Sequence, residues 1–198
     1  GYQDNSTSWG HDVEAAKKLL DGAGWVAGSD GVRAKDGTKL ELVMTIPSNA
    51  PVATNEANLL QKQLGEVGIK LSVSTVEIDK YFPEYLNKKN YALTAFTTEN
   101  TQYPLANVGQ YYASTSQSNY TGLSVPEVDE YVAKIGSTPD GAERNKLANE
   151  LDKILWENVF NIPIYQRMQL TAVPKTLRNF GAQGLASFRP ESIGYVKS

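Results

Sequence analysis

The chain has 198 residues, of which 40% are hydrophobic and 21% are charged, a composition typical of a folded domain and unlike that of a disordered chain. Its net charge of −3 offers no basic surface, so neither nucleic acid nor an anionic membrane is an expected partner. The chain contains no cysteine, which excludes disulfides, thiolate metal sites and cysteine nucleophiles.

The first forty residues predict a loop, a helix and a pair of turns. Residues 1–11 are rich in turn formers and predict an opening loop; they do not resemble a natural start, so we expect a fragment of a longer protein. Asp12 predicts the N-cap of a helix that carries its apolar residues on one side up to Ala23. Two Asp-Gly turns then lead into a strand from Leu40 to Ile46.

A helix and a strand with clear periodicities follow. Pro51 suits a first helical turn, apolar residues then recur every three or four positions up to Val67, and Gly68 ends the helix. Residues 69–76 alternate apolar and polar side chains, which predicts a strand with one buried face.

Two further elements complete a repeating strand–helix pattern. Asp79 predicts the cap of a short helix, and residues 91–96 predict a second buried strand. The short helix is expected to direct Phe82, Tyr85 and Leu86 to one side. Strands alternating with helices indicate an α/β fold with a mainly parallel sheet flanked by helices.

The remainder of the chain predicts mostly helix. Ser124 and Glu127 have the spacing of a capping box, and a second long helix is expected from Asp140 to Asn158. Residues 160–166 predict a short strand, which Pro163 restricts to a sheet edge or a strand start.

Most kinds of catalytic and metal site have no counterpart in the sequence. The single histidine, His11, lies in the opening loop, so a Ser-His-Asp triad has no well-placed base. Glycine-rich phosphate-binding motifs, calcium loops and zinc ligand sets are all missing. We therefore expect neither an enzyme nor a bound cofactor or metal.

One segment has the composition of a ligand site. Glu99 follows the predicted strand 91–96 and is flanked by Thr97, Thr98 and Asn100. Ligands of open α/β sheets bind outside the carboxyl ends of the strands, so this acid has a suitable position. The alternative is a strand that simply ends in a solvated loop.

Four segments, in this order, resemble one protein family. They are DVEAAKKLLDGAGW (12–25), LQKQLGEVGIKLSVSTVEIDKYF (60–82), SNYTGLSVPEVDEYV (118–132) and ILWENVFNIPIY (154–165). On these motifs the chain resembles the extracytoplasmic solute-binding proteins of ABC transporters, family 5, the peptide- and nickel-binding group. The likeness spans roughly residues 11 to 180.

The resemblance implies a two-lobed binding protein that closes on its ligand and delivers it to a membrane permease. Residues 12–174 would form an α/β lobe of the periplasmic-binding-protein-like type II class with a C-terminal helical segment, and residues 175–198 a tail returning toward a missing N-terminal lobe. The parent would be exported, as a cell-surface lipoprotein or in the periplasm.

The resemblance also implies site residues. Peptide-binding members often have an aromatic-x-x-Asp pattern at this strand end, whose Asp pairs with the ammonium of the peptide. Here the pattern is Phe96 to Glu99, with Phe in place of the usual Trp and Glu in place of Asp. Ser48 and Asn49 are the candidates after the preceding strand. Oligopeptides held by backbone hydrogen bonds are the expected ligands; a sugar, a metal chelate and a surface signalling or adhesion role remain alternatives.

Overall fold

A computed structural model describes residues 3–98, 103–166, 170–182 and 189–196. These residues form two compact units. The first, which we call the sheet unit, comprises residues 3–97 and 115–123. The second, which we call the helical unit, comprises the described residues among 98–114 and 124–198. This division leaves open whether residues 12–174 act as one lobe, which stays a prediction.

The sheet unit begins with a 3₁₀ helix, Ser6–Trp9, and helix α1, Val13–Gly22. As predicted, Asp12 caps α1: its carboxylate accepts a hydrogen bond from the backbone N–H of Ala15 at 2.9 Å. A small antiparallel sheet follows, made of β1 (Val26–Ala27), β2 (Arg33–Lys35) and β3 (Thr38–Lys39). The second predicted Asp-Gly turn joins β2 to β3, with positive φ at both Asp36 and Gly37, as a tight hairpin requires.

The small sheet is attached to the rest of the unit by Arg33, whose burial the sequence pattern did not predict. Arg33 is only 5% exposed. Its Nε donates to the carbonyl of Val67 at 2.8 Å, and its guanidinium group pairs with Asp21. Its backbone N–H donates to the carbonyl of Gly68 at 2.8 Å. Asp21 lies in the last turn of α1, and Val67 and Gly68 lie just before the strand that begins at Lys70, so Arg33 connects three segments of the chain.

A parallel three-stranded sheet forms the centre of the unit. Its strands are β4 (Glu41–Pro47), β5 (Lys70–Val76) and β6 (Leu93–Thr94), with β4 between the other two. Helix α2, Pro51–Glu66, connects β4 to β5. The α/β class and the parallel sheet are therefore confirmed, although β6 is much shorter than the predicted strand 91–96.

Alternate residues of β4 produce two different sheet faces. Leu42, Met44 and Ile46 pack with Leu71 and with residues of α2 in one apolar cluster. The α2 members of this cluster include Ala53 and Ala57. Val43 and Thr45 point to the opposite face because successive side chains of a strand alternate.

The segment after β5 differs from the prediction. Helix α3 covers only Ile78–Lys80 and starts after Glu77, so Asp79 lies inside the helix and does not cap it. A π-helix, Tyr81–Leu86, follows directly. Since π-helical hydrogen bonds join residues five apart, Tyr81 and Leu86 share the buried side, at 2% and 0% exposure, whereas Phe82 is 43% exposed. The prediction that Phe82 points the same way as Leu86 was wrong.

In its described residues, the helical unit contains three α-helices and a small two-stranded sheet. Its elements are a 3₁₀ helix (Pro104–Asn107), α4 (Val108–Tyr112), α5 (Pro126–Ser137), α6 (Gly141–Glu157), β7 (Leu177–Arg178), a 3₁₀ helix (Pro190–Ser192) and β8 (Gly194–Tyr195). The buried side chains of α5 and α6 form its core together with Phe160. Asp140 caps α6 as predicted, accepting from the N–H of Glu143 at 2.7 Å.

Two predictions in this unit were wrong. Ser124 does not cap α5, because Pro126 occupies the first helical position and forces the residue before it, Val125, into extended backbone as the N-cap. Residues 160–166 are not in a strand. A strand needs a partner, none pairs with this segment in the described part of the chain, and Pro163 lacks a donor. Among the described helices, none is long and apolar enough to cross a membrane.

Candidate functional site

The carboxyl ends of the three parallel strands meet at one edge of the central sheet. The chain passes from β4 to β5 on one side and then to β6 on the other, so the strand order reverses at β4. Open α/β sheets bind ligands at such a reversal, in the crevice outside the carboxyl ends. We call this region the carboxyl edge; it is formed by residues 47–49, 77–82 and 95–97.

Ser48 and Asn49 lie at this edge, directly after β4. The N–H of Ser48 donates to the carbonyl of Val76 at 2.7 Å, which holds the loop against the end of β5. Asn49 has a φ of +58°, a left-handed conformation that asparagine tolerates better than most residues. Among the described residues, neither the hydroxyl of Ser48 nor the side-chain amide of Asn49 has a hydrogen-bond partner, so both are available to a ligand.

Phe96 and Thr97 follow β6 at the same edge. Because β6 pairs directly with β4, the structure brings Phe96 and Thr97 to the strand ends that carry Ser48 and Asn49. Phe96 is 41% exposed, and Thr97 is exposed as well. Thr98 follows in the chain and is exposed. The remaining candidates, Glu99 and Asn100, lie outside the described residues.

Three aromatic rings lie side by side at the carboxyl edge; we call Phe82, Phe96 and Tyr120 the aromatic wall. The ring of Tyr120 contacts Phe96 edge-on, with centroids 5.2 Å apart and an interplanar angle of 89°. It also contacts Phe82, at 6.4 Å and 68°. Such edge-to-face pairs are the favoured arrangement of aromatic side chains. Sequence reasoning missed this contact because Tyr120 lies far along the chain and Phe82 was expected to point the same way as Leu86.

Hydroxyl groups form hydrogen bonds to the segments that carry the aromatic wall. The hydroxyl of Tyr81 lies 2.6 Å from the hydroxyl of Thr94 and 2.9 Å from the carbonyl of Ala95, at the end of β6. The hydroxyl of Tyr91 donates to the carbonyl of Tyr120. Burial raises the pKa of both Tyr81 and Tyr91 above the ordinary tyrosine value, so both are neutral donors at physiological pH.

The loop that carries Tyr120 is organised by Asn119, which is only 2% exposed. Its Nδ2 donates to the carbonyl of Leu123 at 3.0 Å. Its Oδ1 accepts from the hydroxyl of Thr121 at 2.7 Å and from the N–H of Gly122 at 3.2 Å. These bonds replace those that a regular element would supply, and they give the loop one conformation.

A second depression lies on the face of the sheet opposite α2. It encloses about 500 Å³ and is lined by residues that include Val43, Thr45, Ser74 and Lys89. It is separate from the strand ends, where ligands of open α/β sheets bind. We therefore regard the carboxyl edge as the candidate site.

The chemistry of the carboxyl edge suits recognition. Its described side chains offer hydroxyl and amide groups, exposed rings and the charged groups of Glu77, Asp79 and Lys80, the usual mixture of a ligand cleft. In the part of the chain that the structure describes, no cluster of three or more His, Asp or Glu residues could hold a metal ion. The histidine, His11, is exposed in the segment before α1.

Comparison with known proteins gives consistent results. A sequence profile of the bacterial extracellular solute-binding proteins, family 5, middle region, matches residues 1–135. The chain is 32% identical over 197 residues to the oligopeptide-binding protein OppA of Mycobacterium tuberculosis. That alignment covers 100% of this chain and 33% of OppA, so the chain spans about a third of the length of this relative.

Solved structures establish the fold class. The periplasmic EDTA-binding protein EppA is 25% identical, with a TM-score of 0.74 over 83% of this chain and 31% of EppA. The oligopeptide-binding protein AppA from Bacillus subtilis, solved with a nonapeptide, is 20% identical, with a TM-score of 0.66 over 81% of this chain and 32% of AppA. The chain thus has the periplasmic-binding-protein-like type II fold, in agreement with the sequence prediction.

Proposed function

Because this chain belongs to family 5 of the bacterial extracellular solute-binding proteins, we propose that it is part of the substrate-binding component of an ABC importer. In this proposal the full-length protein captures oligopeptides in a cleft between two lobes and delivers them to a membrane-embedded permease. Residues 12–174 belong to the second lobe, and residues 175–198 return toward the N-terminal lobe, which lies outside this chain. The role requires no catalysis and no nucleic-acid partner.

The observation that carries this proposal is the likeness to OppA along the entire chain. The match includes the strand ends and the loop of Tyr120, and OppA is an oligopeptide-binding protein by name. The carboxyl edge supports the same role. The polar groups of Ser48, Asn49 and Thr97 can form hydrogen bonds to the backbone amides of an extended peptide. These amides are present in every peptide sequence.

Glu99 is the proposed partner of the peptide ammonium, with Thr98 and Asn100 beside it. This assignment comes from the resemblance of Phe96–Glu99 to the aromatic-x-x-Asp pattern. The strand that precedes this segment in the chain, β6, is next to β4, where the strand order reverses and where ligands of open sheets bind. An ammonium–carboxylate hydrogen bond in a closed cleft is among the stronger polar contacts.

The proposed location is outside the cytoplasm, either on the cell surface as a lipoprotein or in the periplasm. The family name describes its members as extracellular. The absence of cysteine is compatible with an oxidising compartment.

A non-peptide ligand is the second candidate, and the likeness to EppA favours it. EppA is an EDTA-binding protein and has the higher TM-score of the two solved structures compared above. A metal chelate of this kind carries several carboxylates. A site for it should contain several cationic groups, whereas Lys80 is the one cation among residues 47–49, 77–82 and 95–97 and is already paired with Glu77.

Native mass spectrometry of the full-length protein, purified gently from its own host, tests the two candidates. We expect additional masses in the peptide range that disappear on denaturation and can be sequenced by fragmentation. Isothermal titration with a free-amine peptide and with a metal–EDTA complex follows. Binding of the chelate without binding of any peptide would contradict the proposal.

A further inference from the structure

We propose that the aromatic wall of Phe82, Phe96 and Tyr120 is a specificity subsite for an apolar or aromatic side chain near the amino end of a bound peptide. We also propose that Asn119 is the residue that positions this wall. The inference rests on the proposed function, because it assumes a peptide at the carboxyl edge.

The wall presents apolar surface that the sheet unit does not bury. Phe82 is 43% exposed and Phe96 is 41% exposed, although each contacts the ring of Tyr120. Tyr81 contacts Phe82 edge-on at 5.4 Å, so the chain of rings continues into the core and fixes the base of the wall. Exposed aromatic rings on a rigid support lose little conformational entropy when they bind a ligand.

The position of the wall in the chain determines which part of the peptide it can reach. Glu99 is three residues beyond Phe96, so their Cα atoms are at most about 11 Å apart. An extended peptide advances about 3.3 Å per residue. If its ammonium is at Glu99, one of its first few side chains can therefore lie against Phe96.

The charged side chains two residues before and two residues after Phe82 are both paired. Lys80, next to the π-helix, forms an ion pair with Glu77, and Glu84 pairs with Lys88. A charged side chain of the ligand would gain little from these pairs and would lose hydration against the rings. The wall should thus select apolar over charged side chains.

Asn119 determines where Tyr120 lies. Its side chain makes three hydrogen bonds inside the loop, and Gly122 adopts a φ of +72° to close the turn. The hydroxyl of Tyr91 holds the carbonyl of Tyr120 from the other side. Asn119 is too deeply buried to contact a ligand, so any effect on specificity must act through Tyr120.

The test measures the affinity of the full-length protein for two free-amine peptides that differ only in carrying Phe or Ala at their second residue. The variants are Phe96→Ala and Tyr120→Ala. The control is Val26→Ala, which removes an exposed apolar side chain, since Val26 is 68% exposed. Val26 lies in β1 of the small sheet, which Arg33 joins to the amino end of β5. We expect the wild type and Val26→Ala to prefer the Phe peptide, and each wall variant to lose roughly threefold to tenfold of this preference.

Asn119→Ala tests the positioning role. We expect it to reduce the preference for the Phe peptide as Tyr120→Ala does while leaving the affinity for the Ala peptide unchanged, a pattern that general destabilisation would not produce. Asn119→Asp keeps the acceptor for Thr121 and Gly122 and should restore part of the preference. If Asn119→Ala fails to fold, Thr121→Ala removes one bond of the same turn and should give a smaller loss.

The possible failures can be distinguished. A wild type that binds both peptides equally, or wall variants that keep the preference, would overturn the inference and leave the proposed function intact. A wild type that binds no peptide would overturn both. An undiminished preference in folded Asn119→Ala or Thr121→Ala would overturn the positioning role.

Discussion

The hydroxyl groups of Tyr81 and Thr94 lie 2.6 Å apart and connect the π-helix to the end of β6. The hydroxyl of Thr94 also donates to the carbonyl of Thr45 at 2.9 Å, and the hydroxyl of Tyr81 donates to the carbonyl of Ala95 at 2.9 Å. The two hydroxyl groups therefore contact each other and two backbone carbonyls. This arrangement fixes the segment that carries Phe82 relative to the strand that leads to Phe96. The stability of the carboxyl edge therefore depends on a few buried hydroxyl groups.

Replacing Tyr81 by Phe should destabilise the protein. The substitution keeps the ring but leaves the half-buried hydroxyl of Thr94 and the carbonyl of Ala95 with one partner fewer, at a cost of about 1–2 kcal/mol. Urea unfolding followed by circular dichroism measures the change. Tyr85→Phe is the matched control, because the hydroxyl of this half-buried residue makes no hydrogen bond to another described residue. Equal stability of the two variants would show that the network contributes nothing.

Stability should decrease at alkaline pH, and Tyr81 should account for part of the decrease. Burial raises the pKa of Tyr81 in the folded state above the value of about 10 that it has in the unfolded chain. The folded state therefore retains this proton more strongly. The contribution of protonated Tyr81 to the free energy of unfolding is fully present below pH 10 and is lost as the pH rises through the folded-state pKa.

The measurement compares the wild type with Tyr81→Phe between pH 8 and pH 11. Burial also raises the pKa of Tyr91 and Tyr112, so the variant should still lose stability, but with a shallower slope. Identical slopes would mean that Tyr81 does not titrate differently in the two states.

Two glycines near the end of α2 should respond oppositely to alanine. Gly65 lies in the exposed last turns of the helix, and an added Cβ there meets no atom within 4 Å, so Gly65→Ala should stabilise by about 0.5–1 kcal/mol. Gly68 has a φ of +86°, and its added Cβ would lie 2.8 Å from Cγ of Arg33. Gly68→Ala should destabilise by more than about 1 kcal/mol. Shifts of the same sign in the two urea midpoints would contradict this account.

Local periodicity predicted most of the sheet unit, because α2 and β5 each bury one regular face. It failed where the backbone departs from the usual periods. The π-helix moves Phe82 to the surface, and a period of 3.6 cannot anticipate that. The start of α5 was misplaced because the conformational restriction from Pro126 outweighs the hydrogen bonds available to Ser124.

The candidate site was only partly predictable. Strand order brings Ser48, Asn49, Phe96 and Thr97 to one edge, whereas the sequence offered Ser48, Asn49 and Phe96 as candidates only through the resemblance to the family. The contact of Tyr120 with Phe96 joins residues 24 positions apart through a loop without regular structure. The buried Asn119 offered one signal, an Asn-x-Thr-Gly turn, but this pattern also matches a glycosylation site and does not reveal burial. The bonds of Arg33 are equally non-local.

Glu99→Gln should weaken binding of a free-amine peptide about tenfold or more, because a charge-assisted hydrogen bond contributes roughly 1.5–3 kcal/mol. The same peptide with an acetylated amino terminus should bind wild type and variant equally. Glu41→Gln is the control variant, since this carboxylate is at the amino end of β4, paired with Lys70. Calorimetry on the full-length protein measures the affinities of the wild type, Glu99→Gln and Glu41→Gln. Unchanged affinity of Glu99→Gln for the free-amine peptide would exclude Glu99 as the ammonium partner, while the aromatic wall could still be tested by its preference for Phe.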